Sequence, residues 1–324
     1  MGKFFSLVSV VTVLSFILAA CSAAPESDSG HAETQPSYSP NALDPLGIPA
    51  SPPIVGPDPG EMKRIRLASG REYLVNVPES YDGRQKWPLV LAFHGWKETA
   101  NFIYEYTELS SAEAITVFPE GKKQAWAPAP YAESTGAEDI EFVSNIVDSI
   151  RATYNVDDER IFATGMSNGG GFAAFLGCQM PEVFNSVATV SAAYYDSIQE
   201  QCQDQPVGRL DMHGTEDPIV DYDGGTRHGT PYNSVPEVLD QDQIRNRCES
   251  NVNTALLANN AFLMSWQGCE APLQHIRIGG GEHVWPGGTY DSDAAIGTGF
   301  ATDKVLDFFQ IPGRPEGTVE TDPA

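Results

Sequence analysis

Basic side chains are scarce in this chain. Lys and Arg total 19 against 44 Asp and Glu, giving a formal charge of −25 over 324 residues. Such a surface repels phosphate backbones and anionic headgroups, which argues against nucleic-acid binding. Cysteine is sparse too, at five residues, with no C-x-x-C or other close pair, so nothing supports a zinc site or other metal centre. There is no internal repeat and no separate polymer-binding module. What is present is a 41% hydrophobic composition, enough for the core of one large α/β domain.

The N-terminus reads as an export signal. Lys3 precedes an uncharged, largely apolar run over residues 4–20, at the short end for a membrane span. It ends in Leu18-Ala19-Ala20-Cys21, which resembles the bacterial lipobox. That resemblance implies cleavage before Cys21 and a lipid on its sulfur, hence anchoring to the bacterial cell envelope or release outside it. The expected organisation is a signal peptide over 1–20, a lipidated Cys21 with a linker to residue 60, a catalytic domain over 61–312 and an acidic tail over 313–324. Residues 22–60 hold nine prolines and no Lys or Arg, so they favour extended chain and cannot build a core.

Export places the other cysteines in an oxidising compartment. Cys178, Cys202, Cys248 and Cys269 allow three pairings. The simplest is sequential, Cys178–Cys202 and Cys248–Cys269. It closes two local loops, each contributing roughly 3 kcal/mol in the loop-entropy model.

Within 61–312, apolar runs alternate with helical patterns. Strands are expected near 74–77, 88–93, 114–118, 160–164, 186–190, 210–213 and 274–278. Ile140, Val143, Val147, Ile150 and Tyr154 recur at steps of three and four, predicting an amphipathic helix over 139–154. A second helix is expected over 170–176 and a last one near 303–310. This order predicts an α/β fold, a mostly parallel central sheet with helices on both faces.

The motif that carries chemistry is Gly165-Met166-Ser167-Asn168-Gly169. Alone, G-x-S-x-G recurs by chance in roughly one chain in ten of this length. Here it lies between a predicted strand and a predicted helix, the setting of a nucleophile elbow. A serine hydroxyl needs a histidine to take its proton and a carboxylate to orient that histidine. In the α/β-hydrolase order of Ser, acid, His, the base falls on His283, in a glycine-rich loop after the last strand. His275 reads as structural, His213 as a brace for the turn after its strand, and His228 as a solvated loop residue. The acid falls on Asp217, just beyond the 210–213 strand, with Glu216, Asp221 and Asp223 as neighbours. Backbone N–H groups of Asn168 and Trp96 would form the oxyanion hole. Trp126, Trp285, Tyr194 and Tyr195 could line an aromatic site, though each suits a core position equally well.

Four stretches carry a family resemblance: residues 88–95, residues 156–170, His213-Gly214-Thr215-Glu216-Asp217-Pro218-Ile219-Val220, and the Gly-rich run 279–288 around His283. Together they resemble the poly(3-hydroxybutyrate) depolymerase-like and feruloyl esterase family, carbohydrate esterase family 1. The resemblance implies an α/β-hydrolase fold, Ser167, Asp217 and His283 as the triad, structural cysteines and no cofactor. Asp221 stands where the pattern more often has proline, which bears on the local loop. The expected activity is a secreted serine esterase acting on feruloyl or acetyl esters of plant polysaccharide. The alternative substrate is poly(3-hydroxybutyrate) or its oligomers. A rival of another class is a non-catalytic, glycan-binding surface lipoprotein. Beyond ester substrate and membrane anchor, no obligate protein partner is evident.

Overall fold

The computed structural model describes residues 56–313, except 201 and 294. The expected signal peptide and lipidated Cys21, most of the expected linker and the tail beyond residue 313 lie outside the described residues. The carbonyl of Pro57 accepts the Tyr154 hydroxyl at 2.8 Å, so the packed body begins ahead of residue 61.

Strand β3 (Trp87–Phe93) shows why the sheet forms. All seven of its residues are buried, as both-face burial in a parallel interior requires. Side chains alternate along it. Leu89, Leu91 and Phe93 face one core, shared with helices α2 (Gly136–Thr153), α3 (Asn168–Gln179) and α5 (Val235–Arg245). Val90 and Ala92 face the other, covered by α1 (Ala100–Thr107) and α6 (Phe300–Phe308). The short α4 (Asp196–Gln199) packs near α3.

Six strands run parallel, in the order β4 (Ile115–Pro119), β3, β5 (Val156–Met166), β6 (Ser186–Val190), β7 (Gly208–Gly214) and β12 (Leu273–Ile278). The chain steps outward from β3 to β4, then crosses back to β5. That reversal makes a topological switch point between β3 and β5, where α/β sheets bind ligands beyond the strand C-termini. All six parallel strands end at that edge, and four of the connections leaving it, those after β3, β5, β7 and β12, supply the predicted site residues. They carry Trp96, Ser167, Asp217 and His283 respectively.

The expected parallel strands are all present. The sheet extends to ten strands through antiparallel wings, of which the sequence predicts only the strand at 74–77. These are β1 (Met62–Arg66) with β2 (Glu72–Asn76) on one side, and β10 (Val252–Ala258) with β11 (Ala261–Trp266) on the other. A separate hairpin, β8 (Gly225–Arg227) with β9 (Thr230–Tyr232), stands apart from the sheet. Helix α2 starts earlier than expected, because a Thr135/Glu138 capping box sets its N-terminus at Gly136. The cysteines pair as Cys178–Cys202 and Cys248–Cys269, the sequential arrangement.

Candidate active site

Ser167 sits at the turn from β5 into α3 with φ 56° and ψ −118°. That backbone is strained for a residue with a Cβ, at a cost of about 1–3 kcal/mol. The surroundings leave no relaxed alternative. A Cβ on Gly165 would lie 2.5 Å from the Gly169 carbonyl, and one on Gly169 would lie 1.9 Å from the Phe93 carbonyl oxygen. Both motif glycines are therefore fixed by close backbone approach. The turn points Ser167 out at the N-terminus of α3, where the helix dipole favours negative charge.

Asp217 and His283 come together across 66 positions of sequence. His283 Nδ1 donates to Asp217 Oδ2 at 2.7 Å. The other oxygen, Oδ1, accepts the amides of Ile219 and Val220, both at 2.8 Å. Asp217 is buried, whereas Glu216, Asp221 and Asp223 are exposed. Burial alone would raise the Asp217 carboxyl. Hydrogen bonds from His213 and His283 outweigh it, with His283 charge and the Val220 amide, and hold the group below the usual carboxylate range. Among the described residues neither Ser167 Oγ nor His283 Nε2 has a hydrogen-bond partner, which leaves both open to substrate and to each other.

His213 braces the turn, as expected. Its Nε2 donates to the Val220 carbonyl at 2.9 Å and lies 3.4 Å from Asp217 Oδ2. His275 is structural. It is fully buried, 2.8 Å from Asp211 and hydrogen-bonded to the Tyr222 hydroxyl at 2.9 Å.

The loop after β3 is held at several points. His94, fully buried, donates from Nδ1 to the Gly95 carbonyl at 2.7 Å and accepts the Gly121 amide on Nε2 at 3.0 Å. Burial drives its pKa down to about 4, against the Gly95 carbonyl and with help from the Arg71 charge. Gly95 N–H donates to Glu98 Oε2, and Lys97 N–H to the Gln124 carbonyl. Among the described residues, Trp96 N–H and Asn168 N–H have no acceptor.

The aromatic expectations need correction. Trp126 is fully buried, stacked on Phe172 with its indole N–H on the His94 carbonyl. Tyr194 is equally buried, hydrogen-bonded to Asp211 and Thr189. Neither offers surface to a substrate. Tyr195 belongs to a small buried cluster with Val220 and Tyr232. Trp285, itself almost fully buried with its indole N–H on the Thr302 hydroxyl, borders a cleft of about 140 Å³ beside His283, shared with Phe102, Tyr106, Tyr290, Glu98 and Asp291. Phe102 stacks on Tyr290 at 5.2 Å. These residues sit on α1 and on the loop after His283, where no motif announces them. His228 is not simply solvated: at the tip of the β8–β9 hairpin its ring packs 4.7 Å from both Trp96 and Tyr131.

An elbow serine, a half-buried histidine held by a buried aspartate, and unclaimed backbone amides at one edge of a switch-point sheet define a serine hydrolase of the α/β-hydrolase fold. The chain belongs to the family described as Esterase PHB depolymerase, which matches residues 73–260. It is a carboxylic ester hydrolase. A probable feruloyl esterase C from Aspergillus terreus is 26% identical over 265 residues, covering 78% of this chain and 89% of that protein. Feruloyl esterase C of Emericella nidulans is 25% identical over 272 residues, covering 80% and 91%. Among solved structures, an acetyl xylan esterase from Aspergillus awamori matches with a TM-score of 0.56 at 15% identity, covering 78% of this chain and 99% of that one. At that identity the likeness speaks for the fold alone.

Proposed function

We propose that the chain hydrolyses feruloyl-type esters of plant polysaccharide through an acyl-enzyme on Ser167. The observation that carries this reading is the 2.7 Å Asp217–His283 hydrogen bond beside the Ser167 elbow, opening onto an aromatic cleft. Ser167 Oγ attacks the ester carbonyl as its proton passes to His283 Nε2. Asp217 keeps the imidazole in the tautomer that can receive it and stabilises the resulting cation. The N–H groups of Trp96 and Asn168 take the developing oxyanion. The carbonyl–alkoxy bond breaks, and His283 returns the proton to the leaving alcohol. Water then attacks the acyl-enzyme with His283 again as base, which releases the acid and restores the serine.

The accessible rings of Phe102 and Tyr290, backed by buried Tyr106 and Trp285, give the cleft an apolar lining that favours an aryl acyl group over acetyl. The relatives named feruloyl esterase C point the same way. The family description keeps polyester hydrolysis as the second reading. Comparing kcat/KM for methyl ferulate and a 3-hydroxybutyrate oligomer separates the two. Ser167→Ala removes turnover of both while leaving the melting temperature nearly unchanged. Turnover retained by that variant would falsify the acyl-enzyme assignment.

Export and lipidation at Cys21 belong to the same proposal, supported by Leu18-Ala19-Ala20-Cys21 and by two disulfides. Expressed in a bacterium, the full chain partitions with membranes, and Cys21→Ser releases it. Equal partitioning of the two would remove the anchor from the proposal.

A further inference from the structure

We propose that Glu98 is a positioning residue that aims the Trp96 N–H at the oxyanion, by gripping the amide immediately before it. This rests on the reading of Trp96 N–H as an oxyanion donor.

The loop after β3 presents successive amides at Gly95, Trp96, Lys97 and Glu98. Gly95 N–H is taken by Glu98 Oε2 at 2.8 Å. Lys97 N–H is taken by the Gln124 carbonyl at 2.8 Å, and Glu98 N–H by the Gly95 carbonyl at 3.2 Å. Trp96 N–H alone of the four has no acceptor among the described residues. The fixed amides on either side determine where the open one points. The Gly95 carbonyl shares its peptide plane with the Trp96 N–H. That carbonyl takes His94 Nδ1 at 2.7 Å and the Glu98 N–H at 3.2 Å, while Glu98 Oε2 holds the peptide plane before it, so Glu98 fixes Gly95 on both sides of its α-carbon.

Glu98 is the link between this loop and the rest of the site. Its Oε2 also accepts the Tyr106 hydroxyl at 3.3 Å, which ties the loop to α1. Glu98, Tyr106 and His283 line one cleft, so the clamp stands beside the atoms it would organise. No Lys or Arg pairs with Glu98 among the described residues. Burial pushes its carboxyl up from the ordinary range, against the Gly95 amide, the Tyr106 hydroxyl and His283. What the Gly95 amide takes from Glu98 is an acceptor oxygen at hydrogen-bond distance, which an uncharged side chain of the same length can also supply.

That distinction sets the test. In the full chain, Glu98→Asp keeps the charge but withdraws the oxygen by one methylene, Glu98→Leu removes the acceptor, and Glu98→Gln keeps it without charge. With methyl ferulate, the Asp and Leu variants should lose kcat by about 10- to 100-fold with KM within about threefold, since a present but misaimed donor costs less than a deleted one. Inhibition by an aryl trifluoromethyl ketone, whose serine adduct carries an oxyanion, should weaken by the matching factor. Glu98→Gln should return both to within about threefold of wild type. A Gln variant as slow as Leu, an Asp variant as fast as wild type, or a loss confined to KM would each overturn the clamp. If Glu98→Leu does not fold, the Asp and Gln pair still decides. Fluorophosphonate labelling of wild type and a dead Ser167→Ala variant show separately that the serine mechanism stands, so failure of the clamp is not mistaken for failure of that reading.

Discussion

The side-chain amide of Asn168 holds the backbone of Trp126 from both directions: Oδ1 accepts the Trp126 N–H at 2.8 Å, and Nδ2 donates to its carbonyl at 3.0 Å. The variable residue of the G-x-S-x-G motif thus ties the nucleophile elbow to the loop running from β4 toward α2. The backbone N–H of the same residue has no acceptor among the described residues. One residue thus serves the core with its side chain and, in the proposed mechanism, the oxyanion with its main chain.

Asn168→Ala should therefore act mainly on stability. It leaves the buried Trp126 N–H without an acceptor, while the carbonyl keeps a weak contact from the Ala129 amide at 3.4 Å. An unsatisfied buried group costs about 1–3 kcal/mol, corresponding to a drop of several degrees in Tm for a domain of this size. Thermal melts of the two proteins measure it. An unchanged Tm would mean that the paired hydrogen bonds contribute nothing net.

Much of this architecture was legible in the residues, for physical reasons. The parallel strands are continuous apolar runs because both their faces are covered, and the elbow is a motif because its backbone crossing admits only glycine on either side. The β10–β11 wing was not legible, since β10 is exposed or half-exposed along its whole length and shows no burial alternation. Helix α5 carries a Ser234/Glu237 capping box, but its polar composition hides the face. Trp126 and Tyr194 were open to misreading because aromatic identity does not reveal direction: one fills the space over Phe172, the other bonds to a buried Asp211. For Glu98 the only local signal was an acid three residues beyond Gly95.

Asp217→Asn should lower kcat by about 10³- to 10⁴-fold at neutral pH, because an amide can hold His283 in the wrong tautomer. Its effect on stability has a defined pH window. The native carboxyl is held below its usual range, so its stabilisation is complete above the unfolded value near ~3.9 and is lost as pH falls through the native one. Urea unfolding should show a wild-type advantage that narrows below about pH 4 and, because Asp217 also helps to raise His213, declines as pH rises through the His213 range. An advantage that instead fades as pH falls from 8 to 6 would contradict the assignment.

His228→Ala tests whether the β8–β9 hairpin steadies the oxyanion loop. The Trp96 ring is packed 4.5 Å from Tyr131 and 4.7 Å from His228, with Lys97 Nζ 4.1 Å from its centroid. Removing an exposed ring should change stability by no more than about 0.5 kcal/mol. Looser packing of Trp96 should lower kcat about three- to tenfold. Steady-state kinetics on methyl ferulate decide, and an unaltered kcat would leave the hairpin without a catalytic role.

The strongest acid sensitivity should trace to His94. Its pKa is lowered to about 4 in the folded chain against about 6.5 when unfolded, chiefly by burial. The unfolded state therefore binds the extra proton first, and folding stability falls as pH drops from about 6.5 toward 4, levelling below. The full excursion is on the order of 3 kcal/mol. Other groups oppose it. His213 has a raised pKa, burial being outweighed by Asp217, Asp211 and the Val220 carbonyl, so its contribution is present below its unfolded value and lost as pH rises. The carboxyls of Glu98 and Glu120, raised by burial, also favour the folded state toward low pH. Total stability is thus a poor readout, and the difference between wild type and His94→Gln is the useful one. Glutamine cannot titrate but can still both accept and donate, as His94 does between the Gly121 amide and the Gly95 carbonyl. Urea unfolding at steps from pH 7 to 4 should show the wild-type advantage shrinking by that amount. A difference that stays flat across the window would mean that His94 is already protonated in the folded protein, or that its burial is relieved before it titrates.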